Sequence, residues 1–120
     1  MNELATLRTI IHYDEDTDDF IISNKNENEV VKNNFMFDDF TISLTGSGKI
    51  VGLEIRNASH FLEESGLDKN LLKKVKSAEL RVIPKKDFIY IGIIFVFEEN
   101  KQIIERKVPI TYLPMQAVPN

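Results

Sequence analysis

Between Tyr13 and Phe20 the chain reads DEDTDD, five carboxylates in six residues. Asp14, Asp16 and Asp18 fall at the first, third and fifth positions that a helix–loop–helix calcium site uses for its oxygen ligands. Such a loop also needs glycine at its sixth position, for the sharp turn, and a bidentate glutamate at its twelfth. Those positions carry Asp19 and Lys25. The run therefore reads as a solvated hairpin turn, and no metal-ligand set is assigned to the chain.

His12 and His60 are the only histidines. Glu63 and Glu64 follow His60 at helical spacing, and an imidazole beside a carboxylate can act as a general base. His60 and Glu63, with Asp14 from the acidic run, make the one candidate ligand site. There is no cysteine, no serine in a nucleophile elbow and no glycine-rich phosphate loop. No catalytic residue and no cofactor is assigned, and an enzyme is disfavoured.

A third group of charges lies between Lys69 and Lys86, with Lys69, Lys73, Lys74, Lys76, Arg81, Lys85 and Lys86 against the single acid Glu79. Such a stretch can neutralise a phosphate backbone. No aromatic residue is interleaved with it and the chain as a whole carries a charge of −4, so nucleic acid is a disfavoured partner. The charge is uneven. Residues 1–40 sum to −7 and residues 41–120 to +3, which reads first as two solvated faces of one fold.

The elements that must hold these groups are dominated by Phe88–Phe97, FIYIGIIFVF. Side chains alternate between faces along a strand. One face carries Phe88, Tyr90, Gly92, Ile94 and Val96, the other Ile89, Ile91, Ile93, Phe95 and Phe97. Both sets are apolar, which suits a strand covered on both sides. If a helical layer covers one face, Ile91, Ile93, Phe95 and Phe97 need a second cover. That cover is either the N-terminal hairpins or another copy of the chain, and in the second case these four residues form an interface.

The rest reads as hairpins around a short helical insert. Arg8–Tyr13 and Phe20–Ser23 flank the acidic turn, and Asn24–Asn34 reads as a loop. Phe35–Phe40 leads into Thr41–Thr45, and GSG at 46–48 turns into Lys49–Arg56. Gly52 within that strand suggests a bulge or a close backbone approach. Asn57 or Ser59 can cap a helix that Gly66 ends, and Asp68 can cap a second one carrying Leu71, Leu72 and Val75. Ala78–Val82 alternates as a strand. Gln102–Thr111 is a weaker strand, placed at an edge or ended by Pro109, and the tail with Pro114 and Pro119 is irregular. The fold class predicted is α+β: a single domain over 1–120, mainly antiparallel sheet of about six or seven strands, with one or two short helices near 57–76.

Two stretches, YDEDTDDFII at 13–22 and GKIVGLEIRNAS at 48–59, resemble a family of small prokaryotic domains of unknown function, the family numbered 2283. The resemblance spans residues 10–62; residues 66–120 lie outside it. It implies a hairpin-based fold with a following helix, and no activity.

No segment approaches the about 20 apolar residues of a spanning helix, and the first residues lack the apolar core of a signal peptide. A cytoplasmic protein is expected. Its expected role is a non-enzymatic oligomerisation or protein-interaction module, whose partner is itself or another protein. A site built on His60, Glu63 and Asp14 is the alternative, and nucleic-acid binding through Lys69–Lys86 the second alternative.

Overall fold

Short acidic or glycine turns between alternating apolar runs make hairpins, and hairpins account for most of the chain. The computed structural model describes residues 9–114; the expectations for the ends of the chain at 1–8 and 115–120 lie outside the described residues. The elements are β1 (Ile10–Asp14), β2 (Asp19–Ser23), β3 (Val31–Phe37), β4 (Phe40–Thr45) and β5 (Ile50–Ile55), then α1 (Ala58–Glu64), a 3₁₀ helix (Lys69–Lys74), β6 (Val75–Pro84), β7 (Phe88–Glu99) and β8 (Gln102–Pro114). The fold is α+β, as the sequence predicts. It has eight strands rather than six or seven, in two antiparallel sheets, of order β1-β2-β5-β4-β3 and β6-β7-β8.

The additional strand comes from FMFDDFTISLT, which reads as continuous. Asp38 takes a left-handed φ of 48°, a conformation that Asp tolerates better than most residues. The chain reverses there, so Phe37 pairs with Phe40 and Phe35 with Ile42. The Asn-rich loop is correspondingly shorter, because Val31, Asn33 and Asn34 already pair with Thr45, Leu44 and Ser43. Gly52 pairs with Ser43 one step from a register shift in the β4–β5 ladder. That matches the expected bulge.

Each sheet has an inner apolar face. Phe20, Ile22, Ile42, Leu44, Leu53 and Ile55 come from the first sheet, and Ala78, Leu80, Ile91, Ile93, Phe95, Phe97 and Val108 from the second. They form one cluster with Ala58 and Leu62 of α1 and with Leu71 and Leu72 of the 3₁₀ helix. Phe20 meets Phe95 at a ring-centroid distance of 5.5 Å, so the two sheets share a core. The helical insert plugs one part of it. The expected second helix is the 3₁₀ turn, with Asp68 accepting from the Asn70 amide at 2.9 Å. Gly66 sits at φ 81° past the end of α1, where a left-handed residue closes a helix.

Strand β8 is an edge, as Pro109 suggests, but it does not stop there. A register shift opposite Ile91 and Gly92 carries the ladder past the proline, and the strand runs to Pro114, through the start of the tail expected to be irregular. Among the described residues no helix is long and apolar enough to cross a membrane.

Candidate functional site

The structure separates the residues that the sequence offers as a ligand site. His60 is exposed on α1 and pairs with Glu64 at 3.2 Å, one turn on. It borders a cleft of about 390 Å³ with Asp38, Asp39, Phe40, Phe61 and Glu64, and neither Glu63 nor Asp14 lines that cleft. Asp14 is spent on the turn, where it accepts from the Asp16 amide at 2.9 Å. Among the described residues no group of three or more His, Asp and Glu could hold a metal ion.

Asp18 has a structural task instead. Its carboxylate accepts from the Tyr13 hydroxyl at 2.6 Å, the Ser59 hydroxyl at 2.7 Å and the Ser59 amide at 3.1 Å. Its backbone carbonyl accepts from the Ala58 amide at 2.9 Å. Two of the unpaired amides that open any helix are thereby satisfied from a distant hairpin turn. Asn57, the residue before α1, makes no side-chain cap. Burial raises the cost of charge on Asp18, but hydrogen bonds from Tyr13 and Ser59 and the nearby Lys69 outweigh it and hold its pKa below the usual carboxylate value. Burial, and then the Asp18 contact, push the Tyr13 phenol up to about 12.

The basic stretch is largely neutralised at its start. Lys73 pairs with Glu15 at 3.4 Å, Lys74 with Glu99 at 2.6 Å and Lys76 with Glu98 at 3.7 Å.

The interface expected on Ile91, Ile93, Phe95 and Phe97 is core. All four are at most 1% exposed, because the first sheet and the 3₁₀ helix cover that face. The open face of β7 is the opposite one. It carries Phe88, Tyr90, Ile94 and Val96, flanked by Arg81 and Ile83 of β6 and by Ile103, Lys107 and Tyr112 of β8. Phe88 is 36% exposed, Ile103 56% and Tyr112 59%. Phe88 meets Tyr112 edge-on at 5.0 Å, and Tyr90 meets Tyr112 at 5.4 Å. Three aromatic rings thus stand together on solvent-facing sheet.

Gly92 shapes this surface. The Tyr90 ring lies across it, and a Cβ at position 92 would collide with the Tyr90 hydroxyl and meet its ring carbon Cζ at 2.8 Å. The space beside the ring is a depression of about 230 Å³, lined by Arg81, Ile83, Tyr90, Ile93, Ile94 and Lys107. The alternation of β7 identifies both sets of side chains but not which set faces inward. One signal points outward from the Tyr90 set: its β6 neighbours include Glu79 and Arg81. The aromatic platform beside Arg81 comes from β7 and β8, beyond the basic stretch itself, so it is visible only in the sheet.

Comparison with family models, with curated proteins and with solved structures finds no match for this chain.

Proposed function

We propose that the protein is a non-enzymatic interaction module whose contact surface is the outer face of the three-stranded sheet. The observation that carries this reading is that face itself. Among the described residues no layer covers this face of the three-stranded sheet, where Phe88, Ile103 and Tyr112 are exposed and Tyr90 and Ile94 half-buried, and contiguous apolar surface of this kind marks sites of association. Tyr and Phe gathered on a rigid support are also the residues that dominate interfaces. A cytoplasmic setting belongs to the same proposal and is supported by a cysteine-free chain with 28% charged residues.

A photo-crosslinking residue placed at Tyr112 in the source cells tests the reading, with the products identified by mass spectrometry. Crosslinks to a defined protein, absent when the same probe replaces exposed Glu63 on α1, support it. No protein product from position 112 would count against the surface having a protein partner at all.

The relation of 13–22 and 48–59 to the family numbered 2283 is likewise a proposal. Its support is the contact between Asp18, in the first stretch, and Ser59, at the end of the second, which gives the two motifs a shared structural role.

A further inference from the structure

The interaction reading leaves the partner open, and the register of the sheet narrows it. Ile94 pairs with Glu79 on one side and with Lys107 on the other. One row across the outer face therefore reads acid, apolar, base. Both charged residues are exposed, and among the described residues neither forms an ion pair. The neighbouring rows are Arg81–Gly92–Pro109 and Ser77–Val96–Glu105, and further on Ile83–Tyr90–Tyr112.

Rotation by half a turn about an axis parallel to β7 places a second sheet face to face with the first and lays β6 over the partner's β8. Glu79 then meets the partner's Lys107, and Lys107 the partner's Glu79. Tyr112 covers the partner's Ile83, Ile94 meets its own counterpart, and Glu105 lies opposite the partner's Ser77. Of the charged residues only Glu98, on the axis, faces its own copy, and Lys76 already accompanies it at 3.7 Å. Stacked sheets cross at about 30°, which at one strand's distance from the axis shifts the facing residues by about 3 Å, within reach of a lysine side chain.

We propose that the partner is a second copy of this chain, docked through the outer face of β6-β7-β8 about a two-fold axis along β7, with reciprocal Glu79–Lys107 pairs on either side of an Ile94 and Tyr90 centre. This rests on the interaction reading above. Single-stranded nucleic acid, which would use the same aromatic rings and Arg81 and Lys107, is disfavoured by Glu79, Glu98 and Glu105 on that face. A face about 40 Å long and about 14 Å wide buries on the order of 1,100 Å² in total, the low end of specific interfaces. Association should accordingly depend on concentration.

The test is sedimentation equilibrium of the full chain from about 1 μM to about 1 mM, a range that brackets the affinities of small interfaces. The variants are Glu79→Lys, Lys107→Glu and the double exchange, all at exposed positions, with folding checked by circular dichroism. Each single variant should weaken self-association at least tenfold, because two attractive pairs become repulsive. An equimolar mixture of the two single variants, and the double exchange alone, should restore it to within about threefold. Tyr112→Asp should abolish it.

A wild type monomeric throughout the range overturns the proposal; the interaction reading then stands or falls on whether the Tyr112 crosslinks identify a different protein. A dimer indifferent to these changes but lost on Met36→Lys at the exposed edge strand β3 overturns the face while leaving self-association intact. Failure of the mixture to restore what the single variants lose overturns the reciprocal pairing. Salt-dependent binding of a single-stranded oligonucleotide that Tyr112→Asp removes, by a protein that stays monomeric, replaces the partner with nucleic acid.

Discussion

The Asp18 carboxylate receives both the amide and the hydroxyl of Ser59, a residue 41 positions further along the chain. A helix of seven residues is too short to stand alone in water, and α1 begins without a cap from its own sequence. The β1–β2 turn supplies what the helix lacks, so hairpin and helix stabilise each other.

Replacing Asp18 tests that dependence. Asp18→Ala removes the acceptor for three donors, and capping and buried-donor effects place the loss at about 1–3 kcal/mol. It also puts alanine at a φ of 59°, which costs about 1 kcal/mol more. Asp18→Asn keeps a carbonyl acceptor and tolerates the left-handed backbone, so it should lose less than Asp18→Ala. Urea unfolding with an unchanged slope would report both losses as stability. Equal losses in the two variants would mean that the carboxylate charge, which both remove, and neither the carbonyl acceptor nor the backbone conformation is what the contact requires.

The same contact sets a pH window. Asp18 has a lowered folded-state pKa, so its contribution is present above the unfolded value and fades as pH falls through the folded one. Tyr13 is raised to about 12 from 10.0. Its contribution is complete below pH 10 and is lost as pH climbs toward 12. Stability from this cluster should therefore be flat from about pH 5 to about pH 9 and decline at both ends. Tyr13→Phe should remove the alkaline decline attributable to this residue and lower the plateau. Chemical denaturation at stepped pH, on wild type and Tyr13→Phe in parallel, checks both arms.

Much of this architecture is legible without coordinates, and the failures have physical causes. The β7 run, the GSG turn, the Asp68 cap and the closing Gly66 all follow from local chemistry. The reversal at Asp38 does not, since aspartate visits left-handed backbone only occasionally and nothing nearby is glycine. Two uniformly apolar faces on β7 do not orient the strand by themselves, so Phe95 and Phe97 go inside only once β6 is paired with it, which sets Ala78 and Leu80 beside their face and Glu79 and Arg81 beside the other. Asp18 looks like part of a cation loop because its real partner, Ser59, lies far away in sequence. The His60 and Glu63 pairing fails for a simpler reason: on this short helix the imidazole turns to Glu64, the (i, i+4) neighbour.

The assignment of Phe95 to the core predicts a large asymmetry between the two faces of β7. Phe95 is fully buried and meets Phe20 across the sheets and Phe97 along the strand at 5.3 Å. Phe95→Ala should cost about 3–5 kcal/mol, a substantial share of the total stability of a domain. Tyr112→Ser, on the outer face, should cost less than about 1 kcal/mol when measured on dilute protein. Thermal unfolding at micromolar concentration separates the two. Similar losses from both would place Tyr112 under a cover that the described residues do not provide.

Gly92 offers the sharpest test of how the outer surface is built. The Tyr90 ring occupies the space that any side chain at 92 would need, and the nearest obstacle is the far end of a side chain rather than backbone. Gly92→Ala should therefore expel the ring from its place beside Tyr112, at a cost of about 1–3 kcal/mol for overpacking. In a Tyr90→Ala background the same Gly92→Ala change should be neutral, or gain up to about 1 kcal/mol, since alanine suits a strand interior better than glycine. The coupling energy in this double-mutant cycle is the quantity to measure. A cost that persists without the Tyr90 ring would mean that the β7–β8 register shift beside Gly92, and not the aromatic surface, is what requires glycine.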